Sequence, residues 1–310
     1  MTSTRVGAID CGTNSIRLLI ADVDSERGLV DVDRRMEIVR LGQDVDRTGE
    51  LGAAALERTF VACETYADVL RVNDVRRLRF VATSASRDAR NRDIFVAGVR
   101  DRLGVEPEVI SGTEEAALAF AGATWELSAG VDSRLVVDIG GGSTEFVLGT
   151  DRPTASCSVD IGCVRITERH LHSDPPTPAE IAAAMSDIDA ALDVAAAQVP
   201  VGDAGSLVGL AGSVTTVAAL SLGLRIYDAA RIHRSVISVD EVRRISDGLL
   251  AMTRAERAAL PVMHPGRVDV IGAGALVLRR ILDRTGLSQV TVSEHDILDG
   301  IALSLVHPSD

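Results

Sequence analysis

The strongest constraint on the fold is a short motif that occurs twice, 128 residues apart. In the first copy an apolar run ends at Asp10, a turn rich in Gly, Asn and Ser follows, and a second apolar run begins at Ile16. In the second copy an apolar run over residues 135–139 contains Asp138, a glycine-rich turn follows, and apolar residues resume at Phe146. Two short apolar runs joined by such a turn predict a β-hairpin. Because the period is far too long for a solenoid repeat, the sequence predicts two duplicated domains.

Predicted helices and strands alternate along the rest of the chain. Helices are expected over residues 52–72, 179–197 and 296–306. A short helix is expected after Thr83, another ends at about residue 103, and three more begin near residues 213, 239 and 267. Strands are expected at residues 78–82, near 109, at 206–211 and at 289–292. This alternation is typical of an α/β sheet. We place the domain boundary near residues 125–131, which gives domains 1–125 and 126–310. The terminal helix, about 296–310, is a candidate to pack back onto the first domain.

Composition excludes several classes of function. The 310 residues carry 45 acidic and 32 basic side chains, a net charge of −13, which disfavours binding to nucleic acid or to an anionic membrane. The chain contains no lysine, which excludes Schiff-base chemistry and a Walker-type phosphate loop. Its four cysteines form no Cys-x-x-Cys pair, and no apolar run approaches the roughly 20 residues of a membrane helix. A reduced, cytoplasmic protein is therefore expected.

Three glycine-containing turns are candidate phosphate sites. An aspartate that ends a strand beside a turn of free backbone N–H groups can hold a cation while the amides bind phosphate oxygens. Either hairpin alone would fit an ordinary turn, but two copies with hydroxyl or amide side chains at their tips favour paired phosphate sites. The third turn, at Gly212 and Ser213, follows an apolar strand and opens a helix, where N–H groups attract anions. A simple serine N-cap is the alternative there.

Two glutamates are candidates for chemistry. Ser111 and Glu114 have the spacing of a capping box, so Glu114 is explained by helix structure, whereas Glu115 is left over and suits a general base for an attacking water. The alternative for Glu115 is a favourable charge at a helix start. Glu145 begins an otherwise apolar strand, so we expect it to face either a metal or solvent. Arg17 and Arg87 are placed to bind phosphate through two N–H groups at once.

Five stretches together resemble the exopolyphosphatase/guanosine pentaphosphate phosphohydrolase family. They are the segments at residues 8–17, 82–87, 110–116, 138–145 and 211–216, and they extend over nearly the whole chain. The resemblance implies two duplicated ribonuclease-H-like domains of the actin-like ATPase superfamily, with a cleft between them. It also implies hydrolysis of a terminal phosphoanhydride of inorganic polyphosphate, with Mg²⁺, or alternatively Mn²⁺, as cofactor. Guanosine pentaphosphate is the alternative substrate, and a homodimer is common in such proteins.

The resemblance also assigns roles to individual residues. The catalytic set would be Glu115, Asp138 and Glu145, and the metal set Asp10, Asp138 and Glu145. The phosphate-binding set would be Gly12, Thr13, Asn14, Ser15, Arg17, Arg87, Gly140, Gly141, Gly142, Ser143, Thr144, Gly212, Ser213 and Thr215.

Two departures from the family pattern qualify these expectations. Long members carry a further C-terminal helical domain, whereas this chain ends at Asp310, so a preference for short polyphosphate is expected. Residues 293–300 also differ from the usual Arg-Glu-Gly ending of the family. Two other functions stay open: an ATP-dependent kinase or ATPase on the same scaffold, and a sensor that binds guanosine pentaphosphate or tetraphosphate without hydrolysing it.

Overall fold

The chain divides into two compact units. The computed structural model describes residues 3–24, 28–126 and 132–306. The first unit comprises residues 1–127 together with 296–310, and the second comprises residues 128–295. The boundary predicted near residues 125–131 falls mainly on 127–131, which lie outside the described residues.

The first unit contains a five-stranded mixed sheet with the order β3-β2-β1-β4-β5. Its strands are β1 (Thr4–Cys11), β2 (Ser15–Asp24), β3 (Gly28–Ile38), β4 (Arg77–Ala82) and β5 (Glu108–Val109). Its helices are α1 (Val45–Thr48), α2 (Ala53–Val72), α3 (Ser84–Asp88), α4 (Arg92–Leu103) and α5 (Gly112–Thr124). Strands β1, β2 and β3 are antiparallel neighbours, whereas β4 and β5 run parallel to β1. The predicted hairpin is thus β1–β2.

A buried core holds this hairpin against the helices. Ile9 and Leu18 from the two hairpin strands lie in one apolar cluster with Phe80 and Phe95. Tyr66 of α2 is completely buried in the same cluster, and its hydroxyl donates to the carbonyl oxygen of Ile16 at 3.0 Å. A buried tyrosine hydroxyl needs such a partner. This bond therefore fixes the start of β2 against α2.

The second unit contains a six-stranded sheet with the order β10-β11-β9-β6-β7-β8. Its strands are β6 (Arg134–Ile139), β7 (Thr144–Gly149), β8 (Pro153–Val159), β9 (Ser206–Leu210), β10 (Val236–Ser238) and β11 (Gln289–Val292). Its helices are α6 (Cys163–His170), α7 (Pro178–Gln198), α8 (Ala211–Ser221), α9 (Ala229–Ile232), α10 (Val239–Ala251), α11 (Arg254–Ala258) and α12 (Ile271–Thr285).

The two sheets share one topology. In each, three antiparallel strands in chain order are followed on the other side of the first strand by two parallel strands, so β6, β7, β8, β9 and β11 correspond to β1 through β5. Strand β10 is an additional antiparallel edge in the second unit. The predicted α/β architecture with two duplicated ribonuclease-H-like domains is confirmed.

Several boundaries differ from the expectation. Strands β3 and β8 and helix α6 were not predicted, because charged or polar residues interrupt their apolar pattern. Strand β10 was not predicted, because it is only three residues long. The helix expected near Ser213 begins at Ala211, and the helix expected near Arg267 begins at Ile271 after a single 3-10 turn. In the described part of the chain, no helix has both the length and the apolar character needed to cross a bilayer.

The terminal helix, α13 (Ile297–Ser304), belongs to the first unit and packs on α5. A Cβ added at Gly122 of α5 would lie 1.7 Å from the carbonyl oxygen of Asp296, and one added at Gly300 of α13 would lie 2.0 Å from that of Leu118. No side chain fits at either distance. Helices α5 and α13 therefore meet backbone to backbone at these two glycines.

Candidate active site

The turn of the first hairpin presents backbone N–H groups. Gly12 N–H donates to the carbonyl oxygen of Ser15 at 2.9 Å, which closes the turn. The carbonyl oxygens at the tip are occupied, because that of Thr13 accepts from Gly42 N–H and that of Asn14 accepts from residues 39 and 40. The N–H groups of Thr13 and Asn14 donate to no backbone carbonyl among the described residues. Such a turn is suited to bind an anion.

The turn of the second hairpin has the same construction. Gly140 N–H donates to the carbonyl oxygen of Ser143 at 3.1 Å. The carbonyl oxygens of Gly140 and Gly141 accept from the first N–H groups of α6, and that of Gly142 accepts from Arg165 Nε at 2.7 Å. A Cβ at Gly162 would lie 2.4 Å from the Gly141 backbone, so α6 can begin here only with glycine. The N–H groups of Gly141 and Gly142 also donate to no backbone carbonyl of a described residue.

Polar side-chain oxygens at the first turn are buried. Thr13 Oγ1 and Asn14 Oδ1 have no hydrogen-bond partner within the described ranges, and the same holds for Ser86 Oγ on α3. A buried polar atom without a partner is costly, so these oxygens favour a polar ligand. Ser86 was not in the predicted set, although it directly precedes Arg87 in a motif that was. At the second turn Ser143 is buried, and the Thr144 hydroxyl donates to the carbonyl oxygen of Ile161.

The strand register places a different partner opposite each aspartate. In the first hairpin Asp10 is paired across the strands with Arg17, and in the second Asp138 is paired with Glu145. Side chains that oppose each other directly in antiparallel strands lie on one face with Cβ atoms about 5 Å apart. The first hairpin therefore holds an ion pair, and the second holds two carboxyl groups side by side.

Arg17 binds two carboxylates of the first unit. Its Nε and Nη2 donate to Asp10 Oδ2 at 3.0 and 2.6 Å, and its Nη1 donates to Asp296 Oδ2. Burial raises the pKa of Asp10 above its ordinary value, and the adjacent guanidinium opposes part of that rise. These contacts occupy the groups that were predicted to bind phosphate and metal. The phosphate role of Arg17 and the metal role of Asp10 stay predictions.

Glu115 is buried in the first turn of α5. Its Oε2 accepts from Arg87 Nη1 at 3.0 Å, and the same nitrogen donates to the carbonyl oxygen of Ile110. Burial raises the pKa of Glu115 to about 7, helped by the charge of Asp10 and opposed by Arg87 and by a hydrogen bond from Thr83. A carboxyl group with a pKa near neutrality is suited to accept a proton from water. Thr83 was also absent from the predicted set.

The neighbouring Glu114 takes part in the helix cap and in an ion pair. The Ser111 hydroxyl accepts from Glu114 N–H at 3.2 Å, which is half of the predicted capping box. The other half is missing, because the Glu114 carboxylate instead pairs with Arg79 at 2.7 Å. The separation of roles between the two glutamates therefore agrees with their contacts, although the cap is not reciprocal.

Asp138 and Glu145 are both buried. Glu145 is 2% exposed, so the alternative of a solvated strand end is wrong. Its Oε1 accepts a hydrogen bond from the Ser158 hydroxyl at 2.7 Å. Two buried carboxylates that oppose each other repel unless a proton or a cation lies with them. Because carboxylate and hydroxyl oxygens suit hard divalent cations, this pair fits Mg²⁺ or Mn²⁺.

The third turn opens α8 in the second unit. Leu210 rather than a serine is the N-cap, and no side chain caps the helix, so the interpretation as a serine cap is wrong. Ser213 and Thr215 are buried in its first turns. Arg267 Nη1 donates to the carbonyl oxygen of Gly212 at 3.2 Å, and a Cβ at Gly212 would lie 2.4 Å from Arg267 Nη2. Gly212 leaves room for the guanidinium of Arg267, a contact that no local spacing indicated.

Comparison with known proteins gives a consistent result. Residues 19–308 match the model of the Ppx/GppA phosphatase family. Exopolyphosphatase 2 of Mycobacterium tuberculosis is 52% identical over 317 aligned residues, which cover 98% of this chain and 99% of that protein. The crystal structure of an exopolyphosphatase-like protein is 43% identical with a TM-score of 0.94, covering 98% of both chains. That of a Ppx/GppA family member from Aquifex aeolicus is 28% identical with a TM-score of 0.81, covering 99% of both.

Proposed function

Because the chain belongs to the Ppx/GppA phosphatase family, we propose that it is an exopolyphosphatase, which hydrolyses the terminal phosphoanhydride of inorganic polyphosphate and releases orthophosphate. The observation that carries this proposal is Glu115, a buried carboxyl group whose pKa of about 7 suits a general base. The 52% identical relative is named an exopolyphosphatase, and the alignment covers almost the full length of both chains. It therefore supports the choice of substrate.

Glu115 acts on the attacking water. As a carboxylate it accepts a proton while the water oxygen bonds to the terminal phosphorus and the bridging P–O bond breaks. Arg87 holds the carboxylate in place through its 3.0 Å contact, and Thr83 supplies a second hydrogen bond. Loss of a positioned base of this kind typically costs 10²- to 10⁴-fold in rate.

Asp138 and Glu145 hold the divalent cation in this proposal. Their direct opposition and burial supply two carboxylate ligands, and the Ser158 hydroxyl keeps Glu145 oriented. When bound, Mg²⁺ neutralises negative charge on the phosphoryl oxygens. Asp10 is paired with Arg17, and its role as a further metal ligand stays a prediction.

The backbone N–H groups of the two hairpin turns bind phosphate oxygens. Thr13 and Asn14 add buried polar atoms at the first turn, and α8 adds the N–H groups of Gly212 and Ser213. Backbone amides bind any phosphate chain equally well, so these turns do not distinguish polyphosphate from guanosine pentaphosphate. Guanosine pentaphosphate therefore stays the second candidate substrate, which the GppA branch of the family name favours.

The decisive experiment measures phosphate release with Mg²⁺ from short-chain polyphosphate, long-chain polyphosphate, guanosine pentaphosphate and ATP at equal concentrations of chain ends. Binding of guanosine pentaphosphate and tetraphosphate is measured beside it. Faster release from short polyphosphate supports the proposal. Preference for the nucleotide instead identifies an alarmone phosphohydrolase. Tight binding of guanosine pentaphosphate or tetraphosphate without release identifies a sensor, and release from ATP alone identifies an ATPase. A homodimer and a cytoplasmic location stay predictions.

A further inference from the structure

Two aspartates at the start of α13 are buried and paired with arginines of the first sheet. Asp296 is the N-cap of the helix, where its Oδ1 accepts from Leu298 N–H at 3.0 Å. Asp299 is completely buried, and its Oδ2 accepts from Asp296 N–H at 2.9 Å. Arg34 donates to Asp299 at 2.6 Å, whereas Arg17 donates to Asp296. The two aspartates thus share a helix, a cap and a type of ion pair.

Asp296 is linked through Arg17 to the end of β1, whereas Asp299 is paired with Arg34 of β3. Arg17, whose side chain is 20% exposed, lies between Asp296 and Asp10 and binds both. Arg17 and Arg34 outweigh the effect of burial and hold the pKa of Asp296 below its ordinary value, so Asp296 is a permanent carboxylate at neutral pH. With its carboxylate fixed by the cap, Asp296 determines where the Arg17 guanidinium can lie.

Asp10 in turn lies beside the proposed base. The residue after it, Cys11, accepts through its carbonyl oxygen from Thr83 N–H at 3.2 Å. Thr83 also hydrogen-bonds the carboxyl group of Glu115 through its side chain. The strand end that carries Asp10 and the helix start that carries Glu115 are therefore joined through one residue.

The position of Asp296 relative to Glu115 is fixed independently. Glu115 lies at the start of α5, and the Asp296 carbonyl oxygen packs directly on Gly122 of the same helix. Two turns of rigid helix connect these contacts. Displacement of the Asp296 side chain would therefore change the position of Arg17 without moving α5.

We propose that Asp296 is a positioning residue that acts through Arg17 to hold Asp10 in place beside the base Glu115. This inference rests on the function proposed above. It also gives a role to the segment at residues 293–300, which supplies the carboxylate that Arg17 binds. Asp296 does not need to contact substrate in this role.

The test compares Asp296→Asn with Asp299→Asn in the full-length protein. Asparagine is as good an N-cap as aspartate, so Asp296→Asn should fold. Asp299→Asn keeps an oxygen that can accept from Asp296 N–H, so it should also fold. Both variants remove one buried charge from the start of the same helix. We expect Asp296→Asn to lower kcat for polyphosphate by about 10- to 100-fold, as for a misplaced catalytic group, with KM within about twofold. Asp299→Asn should lower stability and leave kcat within about twofold. Arg17→Gln should lower kcat similarly, and the double variant Arg17→Gln/Asp296→Asn should lose little more.

A second measurement does not depend on activity. The Nε–H signal of Arg17 in a ¹⁵N NMR spectrum, assigned by its loss in Arg17→Gln, should be sharp in the wild type and in Asp299→Asn and broadened in Asp296→Asn. Equal effects of the two aspartate variants on kcat and on this signal would overturn the inference, as would additive losses in the double variant. If the wild type releases no phosphate from polyphosphate, the proposed function fails, and the Arg17 signal alone decides the role of Asp296.

Discussion

Arg17 and Glu145 occupy the same position in the two duplicated hairpins, each directly opposite the aspartate that ends the preceding strand. In the first hairpin the arginine neutralises Asp10 within the protein. In the second, the glutamate adds a further carboxyl group to that of Asp138. The two hairpins therefore differ at one position. With arginine there, the aspartate is neutralised; with glutamate there, the two carboxyl groups suit a cation.

The first prediction concerns the identity of the base. Replacing Glu115 by Gln should lower phosphate release by about 10²- to 10⁴-fold, because the amide cannot accept the proton of the water. Gln can still accept a hydrogen bond from Arg87, so the fold should be retained. The matched control is Glu114→Gln, which breaks only the pair with Arg79. Near-normal activity of Glu115→Gln together with an inactive Glu114→Gln would reverse the assignment.

The second prediction concerns pH. Glu115 must be ionised to act as a base, so kcat/KM should rise as the pH passes through about 7. Arg87 stabilises the ionised form and lowers the pKa of Glu115, so Arg87→Gln should move this rise to higher pH by about one unit. The measurement is the pH profile of kcat/KM. Arg79→Gln is the control, since Arg79 pairs with Glu108 and Glu114 instead. If kcat/KM rises at the same pH in both variants as in the wild type, Glu115 is not the titrating group.

The third prediction concerns the divalent cation. If Mg²⁺ binds between Asp138 and Glu145, it should stabilise the wild-type protein against unfolding, by about 2.7 kcal/mol at a concentration of 100 Kd. Asp138→Asn should abolish this stabilisation and weaken the Mg²⁺ dependence of activity. Asp160→Asn is the control, because Asp160 is an exposed acid of the same unit. Thermal unfolding with and without Mg²⁺ measures the effect, and identical Mg²⁺ responses in wild type and Asp138→Asn would exclude this site.

The fourth prediction concerns the contact between α5 and α13. Gly300→Ala should lower the free energy of unfolding by about 1–3 kcal/mol or more, because the new methyl group would overlap the carbonyl oxygen of Leu118. Gly248→Ala in α10 is the control, since its methyl group meets no atom within 4 Å and alanine favours a helix. Denaturant unfolding compares the two variants. Equal stability of both would show that the helices can separate without cost.

The sequence by itself determined the parts of this protein that form from neighbouring residues. Both hairpins, the alternation of helices and strands, and the cap at Ser111 depend on residues within a few positions of each other, so their spacing was sufficient to predict them. The cap also separated Glu114 from Glu115, and the repeat aligned Asp10 with Asp138. These patterns were readable because turn geometry and hydrophobic periodicity are local properties of a chain.

Only the tertiary structure decided which charged groups contact residues far away in the sequence. Arg17 lies 279 residues from Asp296, and Arg267 lies 55 residues from Gly212. No spacing rule connects such positions, because the packing of whole elements brings them together. Burial has the same origin: Glu115 acquires its raised pKa from the core around it and from Asp10, not from its place in the first turn of a helix. Local sequence was therefore sufficient to select the candidate carboxyl groups. Their pKa values depended on the residues that surround them in the fold.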